Sequence, residues 1–142
     1  MYQQNNKRAV ICGVAVLPLL GISMSAPIGR HTVTITGSGG VEYYRVQSAS
    51  FSEKKAESGD YVEQEMECIF TDTSQESVEE KMSFTTQEIL VLLKYSNGQV
   101  KVIGTDLAPV RANIEISGTP LTVRIAFKRK SPEFSKFLQS LN

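Results

Sequence analysis

Residues 88–104, EILVLLKYSNGQVKVIG, constrain the fold of this chain more than any other stretch. Five consecutive apolar residues lead into Lys94-Tyr95, an Asn97-Gly98 pair follows, and a second run rich in valine and isoleucine comes next. The apolar run reads as a strand or as an extension of a preceding helix, since the propensity of ILVLL does not separate the two. The Asn-Gly pair decides for a hairpin, because both central positions of a type I′ turn need φ > 0 and these residue types tolerate it best.

Other segments alternate with period two, the pattern of half-buried strands. In residues 31–36 Val33 and Ile35 share one face and threonines the other, and the glycine-rich turn 37–40 follows. Residues 41–52 and 61–70 read as longer strands joined by the charged connection EKKAESGD. Tyr43 and Tyr44 point to opposite faces, so one of them belongs to the core. In residues 61–70, Val62, Met66, Cys68 and Phe70 share a face with Gln64, while Glu63, Glu65 and Glu67 form a row on the other. Residues 74–84 are the one convincing helix. Ser74 is its N-cap or Ser77 and Glu80 form a capping box, acids crowd the first turns, and Val78 and Met82 share a docking face. A last hairpin pairs residues 111–117 with 121–128 around Gly118-Thr119-Pro120, with Ala112, Ile114 and Ile116 facing Leu121, Val123, Ile125 and Phe127. Residues 129–142 read as a basic C-terminal tail. Phe134, Phe137, Leu138 and Leu141 are spaced there for a short helix that docks on its own domain or on a neighbouring subunit.

A chain of 142 residues supports one domain. The fold class expected is mostly β: a single antiparallel sandwich or small barrel of about seven or eight strands with one short helix. The N-terminus allows two readings. Lys7-Arg8, an apolar run and Ser23-Met24-Ser25-Ala26 have the order of a secretory signal, cut after Ser25. Alternatively residues 8–17 are the first buried strand, the reading favoured because Gly13 and Pro18 interrupt the apolar run. The run is too short and broken for a membrane helix.

Formal net charge is zero, which leaves no global basic footprint for nucleic acid. Within that balance, residues 53–80 carry ten acids against Lys54 and Lys55, a net −8, and residues 94–142 carry eight bases against three acids, a net +5. Such polarity makes a solvated surface or orients subunits head to tail. A row such as Glu63, Glu65 and Glu67 has to face water or cations, since burying it would cost several kcal/mol per ion. It lies on an exposed sheet face, or it lines the lumen or an interface of an assembly.

No motif for chemistry stands out. Cys12 and Cys68 are far apart and behave as small hydrophobes, although a disulfide between them is conceivable. His31 is the sole histidine, so neither a triad nor a metal site is expected. Gly37-Ser38-Gly39-Gly40 lacks the lysine and helix of a phosphate loop, and Lys128-Arg129-Lys130 is too short to claim nucleic acid. The reading is of a non-enzyme with no catalytic residues, cofactor, metal or small-molecule substrate.

Asn97, Gly98, Ile103, Gly104, Thr105, Pro109 and Val110, with Ser131 and Pro132 near the end, form a loose pattern within residues 51–137. Over that range the chain resembles small virion proteins of the tail and neck regions of phages and prophages of Bacteroidetes. The resemblance implies a structural subunit of a phage particle, forming a ring or tube in the tail or neck (tail tube, tail completion or connector). The partners implied are copies of itself, other virion proteins and DNA that passes without specific binding. Sheet edges at residues 8–17 and 111–128 are expected to pair between subunits. The competing expectation is a secreted or periplasmic β-sandwich binding module with residues 1–25 removed.

Overall fold

The computed structural model describes residues 9–25, 31–37, 41–105 and 107–141, which form ten strands and one helix. In chain order these are β1 (Ile11–Pro18), β2 (Ser23–Ser25), β3 (Thr32–Thr36), β4 (Tyr44–Lys55), β5 (Val62–Phe70), α1 (Gln75–Phe84) and β6 (Ile89–Tyr95). Then follow β7 (Val100–Ile103), β8 (Asn113–Ser117), β9 (Thr122–Ser131) and β10 (Lys136–Leu141). Lys7, Arg8, Ala26, Pro27, residues 38–40 of the glycine-rich turn and Asp106 lie outside the described residues.

The strands form one sheet in the order β2-β3-β10-β7-β6-β1-β4-β5-β9-β8. The neighbours are antiparallel except β3 and β10, which run parallel. The sheet turns from one layer to the next along β4, whose first residues, Tyr44 and Arg45, pair with β1 while residues 46–55 pair with β5. A register shift between Val46 and Ser48 marks the change of direction, as bulges do where a strand bends.

The apolar run at residues 89–93 is β6, and all five residues are buried. Ile89, Val91 and Leu93 face one core, where they meet Met66, Cys68 and Phe70 of β5 and Val123, Ile125 and Phe127 of β9. Leu90 and Leu92 face a second core with Ala15 and Leu17 of β1 and Val33 and Ile35 of β3. The sheet therefore folds over on both sides of β6, and that is why the sequence there lacks alternation. Tyr44 packs against the first core and Tyr43 against the second, so both tyrosines line a core rather than one of them.

The β6–β7 connection is longer than the two-residue turn expected. Tyr95 N–H donates to Gln99 O (2.8 Å) and Gly98 N–H to Tyr95 O (2.9 Å), leaving residues 96–98 as a three-residue loop. Gly98 takes φ 90°, the left-handed position that closes such loops. Gly104, at the end of β7, has φ +97°, and a Cβ there would stand 3.0 Å from Val110 and 3.2 Å from Leu90. It lets the chain turn back so that Val110 bridges Ile89.

Residues 8–17 were expected to offer a sheet edge, but β1 lies in the sheet interior between β6 and β4. Pro18 ends it, where a missing N–H is tolerated. The tail is also corrected. Arg129, Lys130 and Ser131 belong to β9, and residues 136–141 are a strand, not a helix. β10 pairs with β7 at Lys136 and Phe137 and with β3 along its length. It supplies hydrogen-bond partners to two strands at once, which a helix could not do.

Helix α1 begins where expected. Ser74 is its N-cap, with its hydroxyl accepting from Ser77 N–H at 3.4 Å. Its docking face differs from the expectation: Val78 packs against the first core, Met82 is exposed, and Ser77, Lys81 and Phe84 are buried.

Candidate functional site

Three inward-facing strand positions break the apolar pattern at one end of the molecule. On β4 the phase that points Ala49 and Phe51 at the core continues to Glu53. On β5 the buried face of Val62, Met66 and Cys68 includes Gln64, which is 2% exposed. On β9 the phase of Ile125 and Phe127 continues to Arg129. The sheet register sets Glu53 opposite Gln64 and Gln64 opposite Arg129, so the three side chains form one row across three strands.

The row is tightly bonded. Gln64 Nε2 donates to Glu53 Oε1 at 2.8 Å, and Arg129 Nη1 donates to Gln64 Oε1 at 2.6 Å. Arg129 Nη2 donates to Ala108 O at 2.6 Å. The Glu53 carboxylate also accepts from the far side of the fold, from Ser135 N–H (2.6 Å) and Ser135 Oγ (2.8 Å). Lys101 of β7 completes its surroundings at 3.7 Å, with its ammonium among the rings of Phe51, Tyr95 and Phe137. This network ties β4, β5 and β9 to β7 and the segment before β10. Burial lowers the pKa of Arg129, while burial and then the Glu53 charge raise that of Tyr95.

Beside the row opens a cleft of about 340 Å³ between the β7–β8 loop, the β9–β10 turn and the face of β2 and β3. Met24, Val33, Val102, Leu107 and Phe134 give it apolar walls, and Gln64 and Arg129 supply a polar end. The β9–β10 turn is held by Ser131, whose hydroxyl donates to Glu133 O at 2.7 Å.

The acidic row lies elsewhere. Glu63, Glu65 and Glu67 are exposed on the outer face of β5. Across the ladder Glu63 meets Lys130 and Lys54, and Glu65 meets Lys128, with an ion-pair distance of 3.9 Å to Lys128. Arg124 lies 3.8 Å from Glu67 and 3.0 Å from Glu115 on β8. The surface is striped rather than acidic, and each exposed pair contributes little on its own.

The tail residues separate. Phe134 stands half in solvent on the cleft, Phe137 stacks near Lys101, and Leu138 packs into the second core. Leu141 ends β10 opposite Ile35, and its side chain lies outside the described atoms. Phe137 and Leu138 thus serve their own domain.

A second buried cation sits under α1. Lys81, 1% exposed, donates to Ser77 Oγ and lies 4.3 Å and 4.6 Å from the ring centres of Tyr44 and Phe70. Tyr44 Oη donates to Glu80 Oε1 at 2.6 Å. Burial lowers the Lys81 pKa and raises that of Tyr44. Cys12 and Cys68 are both free, and burial pushes the Cys68 thiol up to about 12, which keeps it protonated and unreactive. Among the described residues no three His, Cys, Asp or Glu side chains are grouped to hold a metal ion. Among the described residues no helix is long and apolar enough to cross a membrane.

No family model, curated protein or solved structure matches the chain. Function therefore has to be read from the geometry.

Sequence reasoning placed Gln64 on the buried face but missed Glu53, Arg129 and Ser135. The available signal for Glu53 and Arg129 was a polar residue on the core phase of β4, β5 and β9, whereas Ser135, in the β9–β10 turn, carried none. Only the register shows that they touch.

Proposed function

We propose that this chain is a structural subunit of a phage particle, forming a ring or tube in the tail or neck. The observation that carries the assembly half of the reading is the state of the sheet ends. Among the described residues the strand order stops at β2 on one side and β8 on the other, two different edges of a single sheet. On β8, Ile114 is half-buried and Ile116 is 39% exposed, and Leu121 in the adjoining turn is 46% exposed. Residues 113–117 contain neither lysine nor proline, and their one charge, Glu115, is paired with Arg124 at 3.0 Å. Joining β8 of one copy to β2 of the next is a heterologous contact, which closes into a ring or stacks into a tube.

The phage half is supported by the resemblance of residues 51–137. The residues that carry it hold the backbone: Gly98 and Gly104 turn, Thr105 Oγ1 accepts from Ala108 N–H at 2.9 Å, and Val110 bridges Ile89. The striped face of β4, β5, β9 and β8 bears on any DNA path. A lumen lined by it would repel phosphates through Glu63, Glu65 and Glu67 less than a bare acidic wall, because Lys54, Lys128 and Lys130 stand beside them.

The secreted alternative requires losing residues 1–25, hence β1 from the sheet interior together with β2. The test is the intact mass of the chain recovered from purified particles of the source phage or prophage. A Met1 or Tyr2 start in particles supports the structural subunit; absence from particles with a start near Ala26 in the medium overturns it.

A further inference from the structure

We propose that the cleft beside Arg129 binds a small free carboxylic acid with an apolar body, its carboxylate on the guanidinium. This goes beyond the assembly reading and does not depend on it. The volume of about 340 Å³ falls at the lower end of the range of small-molecule pockets. Its walls are apolar through Met24, Val33, Val102, Leu107 and Phe134, and Leu107 and Phe134 leave much of their surface in water. An apolar body lying between them would cover that surface.

The charge at the polar end selects the head group. Among the described residues no carboxylate lies within ion-pair distance of Arg129, whose bonds go to an amide oxygen and a backbone carbonyl. Two of the five guanidinium N–H groups are thereby used, and the other three have no hydrogen-bond partner among the described residues. Glu53, the acid in the same row, is engaged by Gln64, Ser135 and Lys101. Lys136, also in the lining, is held 2.9 Å from Glu133. Among the described lining residues Arg129 is the one cation without a carboxylate partner, which suits a monoanion better than a phosphate dianion. The two short bonds also hold the fork in place before a ligand arrives, so little side-chain freedom is lost on binding.

The test is calorimetric titration of the full chain with octanoate and, separately, with octanamide, which has the same body without the charge. Octanoate should bind at least about tenfold more tightly, the difference expected for one charge-assisted hydrogen-bonded contact. Arg129→Gln should remove that preference, whereas Phe134→Ala should weaken both ligands alike. If Arg129→Gln does not fold, the ratio in the unaltered protein decides by itself. Equal affinity for the two compounds, or no binding of octanoate at millimolar concentration, overturns the proposal. So does binding of a short apolar peptide through its C-terminal carboxylate when octanoate does not bind.

Discussion

Glu53 and Lys81 are two charged residues with largely buried side chains, and their surroundings lead to opposite expectations. Glu53 accepts three hydrogen bonds, from Gln64 Nε2, Ser135 N–H and Ser135 Oγ. Glu53→Ala would orphan Gln64 Nε2 and the Ser135 N–H together, so a loss of about 3 kcal/mol is expected in denaturant unfolding. Lys81 has one hydroxyl acceptor and two ring faces, and burial disfavours its charge. Lys81→Met keeps the volume and removes the desolvation cost, so a gain of about 1 kcal/mol near neutral pH is expected. The sign with pH follows. A lysine whose folded pKa lies below the unfolded value is bound to fewer protons in the folded state, so its contribution improves as pH rises through the folded pKa toward 10.5. The stability gap between Lys81→Met and the unaltered chain should therefore narrow in that window. A gap that widens with pH would mean that the rings and Ser77 stabilise the ammonium more than burial destabilises it.

At the scale of elements, β6 explains most of what could be read in advance. Its apolar run and the Asn97-Gly98 turn read as a strand, and the fold buries Leu92 and Leu93 in different cores. Leu92→Ala and Leu93→Ala should each cost about 3 kcal/mol by urea titration. In a sheet with one solvated face, one of two neighbouring substitutions would be nearly silent. The period-two segments and the Ser74 cap were legible for the same reason: each is decided by a few adjacent residues. β10 was not. The spacing of Phe134, Phe137, Leu138 and Leu141 fits a helical stripe, and local propensity contains no trace of β3 and β7 waiting for a partner. The polar row was legible only in part, because phase along a strand is local whereas the register that joins Glu53, Gln64 and Arg129 is not.

On the scale of the whole molecule, one sheet wraps two cores and ends in two unlike edges. β1 and β6 hold its interior, and the Glu53 row ties its two halves at one end. What remains outward is the β8 edge with Ile116 and Leu121, the short β2 edge and the striped face. A monomer with such an edge is prone to pair with another strand unless a neighbour covers it. Native mass spectrometry of the full chain, run beside Ile116→Lys, addresses self-assembly directly. The unaltered chain should give a closed ring of defined copy number, and the lysine variant should stay monomeric with its fold intact. A strictly monomeric unaltered chain at high concentration would contradict edge-mediated assembly, and so would a lysine variant that assembles equally well.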